Sequence, residues 1–130
     1  MRQLMMVLLV CLSSFAFAEN PAMYTQEKPV VMVQRLQPEF VIQLKSNPTT
    51  GYSWFLRSYD ANLLTPVKHV FQATSNKKLI GAPGYELWTF KVKPEAFSVP
   101  HQTEIQFVYQ RPWEAAGAAG SKTVFKVVIK

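Results

Sequence analysis

The side chains that could carry out catalysis are few and scattered. Residues 19–130 contain two histidines, one aspartate, seven glutamates and no cysteine. His69 falls in a predicted strand and His101 in a loop beside a proline, and neither has a metal-ligand spacing to another histidine or to a pair of carboxylates. The pattern therefore favours structural or solvated histidines. A hydrolase that combines Asp60 with either histidine is the least favoured hypothesis for function.

Residues suited to binding are concentrated in three loops between predicted strands. The first loop, loop 1, consists of Asn47, Pro48, Thr49, Thr50, Gly51 and Tyr52. Pro48 fixes its own φ and favours an extended Asn47, while Gly51 permits a positive φ. The Asn47 side chain is of a type that bonds to neighbouring backbone groups in turns. Loop 1 is therefore predicted to be a stiff, projecting turn.

The other two loops combine glycine with a large aromatic residue. Loop 2 contains Gly81, Ala82, Pro83 and Gly84 and leads directly into a strand that carries Trp88. Loop 3 begins with Arg111, Pro112 and Trp113 and continues through a tract rich in alanine and glycine. Arginine and tryptophan are enriched at interface hot spots, and a proline limits the entropy that a docking loop loses. Each loop alone could be a plain connection, but the three together favour a binding surface.

In this order, the three segments resemble the chagasin-type inhibitors of papain-like cysteine proteases. The shared features are Asn-Pro-Thr-Thr-Gly before an aromatic residue, a glycine-rich loop before a Trp-Thr-Phe strand, and Arg-Pro-Trp. The resemblance covers roughly residues 31–130, with a stiffer Ala82-Pro83 where the family usually has more glycine. It implies an immunoglobulin-like sandwich whose loops line up at one end and enter the protease cleft as a wedge, without a cofactor.

The resemblance also implies a role for individual residues. Thr49 would approach the catalytic cysteine and histidine of the protease, and loop 2 would lie along the substrate-binding side of the cleft. Trp113 would stack on aromatic surface on the primed side. Arg111 would brace its own loop. The implied partner is a papain-like cysteine protease, blocked by binding without cleavage.

The elements that must hold these loops are predicted to be strands. Apolar residues recur with a period of two, as in Phe40, Ile42 and Leu44, and clusters of proline, glycine, asparagine and serine separate the segments. Seven short strands in one domain indicate an all-β, immunoglobulin-like β-sandwich rather than a barrel. The predicted strands are Val30–Leu36, Glu39–Lys45, Tyr52–Ser58, Val67–Ala73, Glu86–Lys93, Thr103–Gln110 and Thr123–Lys130.

The first eighteen residues are predicted to be a signal peptide. Arg2 precedes an apolar run over residues 4–15, and Ala16-Phe17-Ala18 supplies the small residues that a signal peptidase reads. A retained membrane anchor and a lipoprotein signal at Cys11 are the alternatives, although Cys11 lacks a small residue before it. We expect cleavage after Ala18, a mobile leader over residues 19–29, one domain over residues 30–130, and a periplasmic or secreted protein.

Composition sets the remaining limits. The chain has 130 residues, of which 48% are hydrophobic, so one packed domain is expected and disorder is not. Its net charge of +6 is dispersed along the chain, which argues against nucleic acid as a partner. We expect a monomer that does not contact the membrane after signal cleavage. The rival hypothesis is an exported basic β-sandwich module that binds a cell-surface or polymeric partner through Tyr24, Tyr59 and Trp113.

Overall fold

The protein was studied as a computed structural model, which describes residues 20–73, 84–114 and 120–130. Two single-turn 3₁₀ helices, Pro48–Thr50 and Pro94–Phe97, interrupt an otherwise β structure. Within the described ranges, no helix is long and apolar enough to span a membrane. The strands are β1 Ala22–Thr25, β2 Val30–Val33, β3 Glu39–Ser46, β4 Ser53–Ser58, β5 Leu64–Gln72, β6 Gly84–Val92, β7 His101–Gln110 and β8 Ser121–Ile129.

The strands form two sheets of four. The first sheet has the order β1-β3-β6-β5, and the second has the order β2-β8-β7-β4. The strands β1 and β3 pair in parallel, as do β2 and β8, and all other pairs are antiparallel. The inner faces of the two sheets pack on one another and bury the alternating apolar residues. The predicted immunoglobulin-like sandwich is confirmed.

Strand β1 corrects the expectation of a mobile leader over residues 19–29. Ala22 pairs with Phe40 at the edge of the first sheet. The Tyr24 ring lies edge-on to the Phe40 ring at 6.4 Å, and its hydroxyl donates a hydrogen bond to the Met32 carbonyl at 3.1 Å. Prolines flank the strand without interrupting it, as is common at sheet edges. Residues 22–25 of the expected leader thus form an eighth strand, and Tyr24 packs it on the core.

Strand β5 contains a proline and a bulge that the period-two pattern does not reveal. It begins three residues earlier than predicted, and the register shifts between Pro66 and Lys68. Both features are tolerated because β5 lies at an edge of its sheet, where they also hinder pairing with another chain. After the bulge, His69 stands opposite Trp88 of β6.

A chain of phenylalanine rings joins the two sheets through the core. Phe40 stacks on Phe90 at 5.6 Å within the first sheet, and Phe90 meets Phe107 of the second sheet edge-on at 6.2 Å. Phe107 in turn contacts Phe125 at 6.0 Å. All four rings are fully buried, so the strands β3, β6, β7 and β8 share one continuous aromatic core.

We expect Phe107→Ala to lower the free energy of unfolding by about 3 to 5 kcal/mol, because it removes a buried ring and leaves a cavity between the sheets. Phe55→Ala is the control, since Phe55 lies on the exposed face of β4 and should lose about 1 kcal/mol or less. Urea unfolding monitored by tryptophan fluorescence measures both. Equal losses for the two variants would contradict the central place of Phe107.

Candidate functional site

The strand registers bring all three loops to one end of the sandwich, here called the loop end. Ser46, the last residue of β3, pairs with Gly84, the first residue of β6, and Gln72 at the end of β5 pairs with Tyr85. In the second sheet, Ser53 pairs with Gln110 and Ser121 pairs with Tyr109. Loop 1 crosses from one sheet to the other, whereas loops 2 and 3 each connect neighbouring strands of one sheet. A single surface therefore receives all three.

Asn47 organises loop 1 through both its side chain and its backbone. Its Oδ1 accepts hydrogen bonds from the hydroxyl of Thr49 at 2.6 Å and from the backbone N–H of Thr49 at 3.3 Å. Its carbonyl accepts one from the Thr50 hydroxyl at 2.7 Å. The backbone N–H of Asn47 donates to the Tyr109 hydroxyl at 3.0 Å. Asn47 thus holds the tip of loop 1 in a turn through its hydrogen bonds to Thr49 and Thr50, and its own backbone is bonded to Tyr109 in β7.

Gly51 ends the tip of loop 1 with a φ of +80°, which agrees with the predicted positive φ. A β-carbon at this position would lie 3.3 Å from Cη2 of Trp113, so loop 1 and loop 3 are in close contact here. A positive φ is readily adopted by glycine and disfavoured for β-branched residues. The residue type at position 51 therefore follows from the backbone conformation.

Arg111 lies between aromatic rings of two loops. Its guanidinium carbon is 4.8 Å from the centre of the Tyr52 ring and 5.7 Å from that of Trp113, distances at which cations are attracted to ring faces. Arg111 therefore bridges loops 1 and 3, which is more than bracing its own loop. The Trp113 side chain is 73% exposed. The indole consequently belongs to the surface and does not cap the core.

Only the last residue of the predicted loop 2 site lies within the described residues. Gly81, Ala82 and Pro83 lie outside them. Gly84 is buried at the start of β6, where a β-carbon would overlap the Phe71 ring and lie 2.7 Å from the carbonyl oxygen of Gln72. A close approach of β5 therefore explains why glycine occupies this position.

The buried carboxylate of Glu86, close to the loops, is the feature that sequence reasoning missed. The carboxylate of Glu86 accepts a hydrogen bond from the Trp54 backbone N–H at 3.0 Å and another from Nε2 of His69 at 2.7 Å. The His69 ring stacks on Trp88 at 3.7 Å with an angle of 14° between the rings. Glu86 has the same parity as the inward-facing Trp88 and Phe90, and this was the one signal of its burial.

The residues considered for hydrolysis make contacts that belong to strands and turns. His69 is engaged with Glu86 and Trp88, whereas His101 pairs with Ile129 at the end opposite the loops. The Asp60 carboxylate accepts a hydrogen bond from the Asn62 N–H in the turn before β5. Within residues 20–73, 84–114 and 120–130, no three histidine, cysteine, aspartate or glutamate side chains are grouped to hold a metal ion.

The aromatic residues of the rival hypothesis do not form a common surface. Tyr24 and Tyr59 are half-buried and pack against the core, Tyr59 edge-on to Phe90 at 6.4 Å. Among the three aromatic residues of that hypothesis, Trp113 alone is exposed, and it lies beside loop 1. Two of the three side chains that the rival hypothesis requires at the surface are therefore engaged with the core.

The chain is similar to a known protein family and to solved structures. A sequence model of the chagasin family, peptidase inhibitor I42, matches residues 35–129. The fold is similar to that of the cysteine protease inhibitor EhICP2 from Entamoeba histolytica, with a TM-score of 0.67 and 23% identity over 84% of this chain and 95% of that chain. It is also similar to amebosin, with a TM-score of 0.63 and 24% identity over 85% of this chain and 100% of that chain.

A third solved structure shares the fold less closely. It is PbICP-C in complex with falcipain-2, with a TM-score of 0.50 and 19% identity over 85% of this chain and 90% of that chain. No curated protein is significantly similar to the chain.

We expect Asn47→Ala to lower the free energy of unfolding by about 1 kcal/mol, because the residue that caps the helical turn Pro48–Thr50 loses its side-chain acceptor. Asn47→Asp keeps an oxygen at the position that bonds to Thr49 and should stay close to the wild type. Urea unfolding gives the free energies, and cleavage by a non-specific protease reports loop opening. Indistinguishable behaviour of the two variants would show that the side-chain acceptor does not hold the turn.

Position 51 provides a second test of loop geometry. Gly51→Ala should lower the free energy of unfolding by about 1 kcal/mol, because a side chain disfavours positive φ. Gly51→Val should lose more, and Gly51→Asn less, since asparagine tolerates the left-handed region. The three variants are compared by urea unfolding. A series in which valine and asparagine are equally stable would contradict the observed conformation.

Proposed function

Because the chain belongs to the chagasin family of peptidase inhibitors, we propose that its loop end enters the active-site cleft of a papain-like cysteine protease and blocks it reversibly. The observation that carries the proposal is the arrangement at that end. A closed loop 1 lies against an exposed Trp113, and Arg111 stands between the two loops. Falcipain-2, which is bound to a protein of the same fold, is a target of the kind expected.

Loop 1 is suited to occupy a catalytic centre without being cut. A cysteine protease attacks with a thiolate that is stabilised by a neighbouring imidazolium. Thr49 and Thr50 project at the tip, and their hydroxyls and N–H groups are bonded to Asn47, so the segment is held as a turn. Such a turn does not offer an extended peptide for attack. It also loses little entropy on binding, because it is already ordered.

Trp113 supplies the apolar anchor of the proposed interface. A large ring that is 73% exposed and limited in its motion by Arg111 and loop 1 can bury much area at small entropic cost. Loop 2 is proposed to lie along the substrate-binding side of the cleft. Interfaces of this class bury roughly 800 Å² per partner, and their affinity depends on how well the loops are pre-ordered.

We further propose that the protein acts by binding rather than by catalysis. In the part of the chain that the structure describes, His69 is bonded to Glu86, the Asp60 carboxylate is bonded within a turn, and His101 pairs with Ile129 in a sheet. Steric exclusion of substrate from the cleft needs no cofactor. A single function, occupation of the cleft, accounts for all three loops.

We also propose that residues 1–18 are a signal peptide that directs export and is then removed. This proposal is supported by the order of Arg2, the apolar run over residues 4–15, and Ala16-Phe17-Ala18. N-terminal sequencing of protein recovered from the periplasm or the medium should begin at Glu19. Recovery of the full-length chain in the membrane fraction would instead show a retained anchor.

Titration of papain with residues 19–130 tests the proposed inhibition. We expect activity to fall in proportion to added inhibitor and to return on dilution, since no covalent bond forms. Mass analysis of the mixture should show an intact loop 1. Cleavage next to Thr50 at the rate of turnover would identify a substrate, and absence of inhibition across a panel of papain-like enzymes at micromolar concentration would refute the proposal.

Trp113→Ala should weaken inhibition by about 2 kcal/mol, or roughly 30-fold, as expected for a hot spot. Because the indole is outside the core, unfolding should change by less than about 1 kcal/mol. Leu36→Ala is the matched control, since Leu36 is an apolar side chain that is 97% exposed in the β2–β3 turn, away from the loop end. Equal inhibition by both variants would show that Trp113 is not an anchor.

A further inference from the structure

We propose that Glu86 is a positioning residue for inhibition, whose buried carboxylate sets the position of loop 1 relative to the strands that flank loop 2. This inference rests on the proposed function and adds a residue that does not itself reach the loop surface. The Glu86 side chain is only 4% exposed. It follows loop 2 directly, two residues after Gly84 in β6.

The two carboxylate oxygens have partners in strands of different sheets. Oε2 accepts a hydrogen bond from the backbone N–H of Trp54, which lies two residues after loop 1 in β4. Oε1 accepts from His69 in β5, the strand that leads into loop 2. One side chain is therefore bonded to strands that flank both loops, across the space between the two sheets.

Each of these partners is itself held in place. The indole Nε1 of Trp54 donates to the carbonyl of Lys45 at 2.8 Å, which ties together the two strands on either side of loop 1. The ring of His69 stacks on Trp88 in the neighbouring strand, and its side chain remains 41% exposed at the edge of the sheet. The carboxylate thus connects two fixed supports, one for each loop.

Stability alone does not account for a carboxylate in this position. Burying an ionised group is costly unless it is paired, and replacing buried ionic groups by apolar ones of similar size is often neutral or stabilising. Apolar contacts between sheets are not directional, so they hold the sheets together without fixing how far one sheet is displaced along the other. Two hydrogen bonds to one rigid group define both distance and direction. The contribution of Glu86 is therefore geometric.

The test compares Glu86→Leu with Glu86→Gln and with Ile129→Ala, a truncation of a fully buried side chain at the opposite end of the sandwich. We expect Glu86→Leu to raise the inhibition constant against papain at least tenfold, mainly through faster dissociation. Glu86→Gln should stay within threefold, since its amide oxygen accepts from Trp54 and its amide N–H₂ donates to the other histidine tautomer. Ile129→Ala should lose stability but not affinity.

A further variant tests the bond between Glu86 and His69 separately from the bond between Glu86 and Trp54. His69→Phe keeps a ring on Trp88 but removes the bond to Glu86, so its effect should be intermediate between those of the wild type and Glu86→Leu. Glu86→Leu with unchanged inhibition, or with a loss no larger than that of Ile129→Ala, would overturn the inference.

Amide hydrogen exchange of the free proteins gives a readout that does not depend on any protease. In Glu86→Leu, the Trp54 N–H and the backbone of loop 1 should exchange faster than in Ile129→Ala at the same temperature. In Glu86→Gln their exchange should be close to that of the wild type. Failure of the wild type to inhibit would refute the proposed function alone, whereas unchanged exchange at Trp54 would refute the positioning role whatever the inhibition.

Discussion

The packing of four phenylalanine rings between the sheets is the constraint on which the rest of the structure depends. Phe40, Phe90, Phe107 and Phe125 each come from a different strand, and their contacts run without a break from one sheet to the other. Since loop 1 begins where β3 ends, loop 2 ends where β6 begins, and loop 3 connects β7 to β8, this packing decides where every loop emerges. With no cysteine after residue 18, no disulfide is available to do so.

At the loop end, hydrogen bonds and contacts between Arg111 and aromatic rings, rather than apolar packing, hold the residues in place. Asn47 closes loop 1, the Tyr109 hydroxyl accepts its backbone N–H, and Arg111 links Tyr52 to Trp113. Beneath them lies the carboxylate of Glu86. Directional bonds of this kind favour one arrangement of the loops before any partner arrives. In the proposed binding mode, such pre-ordering favours entry into the cleft because less entropy is lost on binding.

The residues that stabilise the fold are different from those that are proposed to contact a protease. The fully buried side chains belong to strands, whereas Thr49, Thr50 and Trp113 are exposed and are held by neighbours at the surface. In the proposed binding mode, substitutions at the loop tips therefore alter recognition while the aromatic core stays intact. Gly51 is the exception, since its backbone conformation and its contact with Trp113 connect loop shape to loop stability.

The sequence by itself determined the fold class, the existence of seven of the strands and the composition of the loops. Alternation of apolar residues is a local property, so it placed the ends of those strands within three residues of the observed bounds. The positive φ at Gly51 was likewise predicted from a glycine in a proline-containing turn. The three motifs, taken in order, were sufficient to indicate the family.

The tertiary structure decided the features that depend on residues distant in sequence. Strand β1 exists because β3 offers it an edge, and the bulge after Pro66 is possible because β5 has a neighbour on one side only. Arg111 meets Tyr52, and Glu86 meets Trp54, across more than thirty positions of the chain. No local pattern encodes such pairs, since they form only once the packing of the two sheets has brought their strands together.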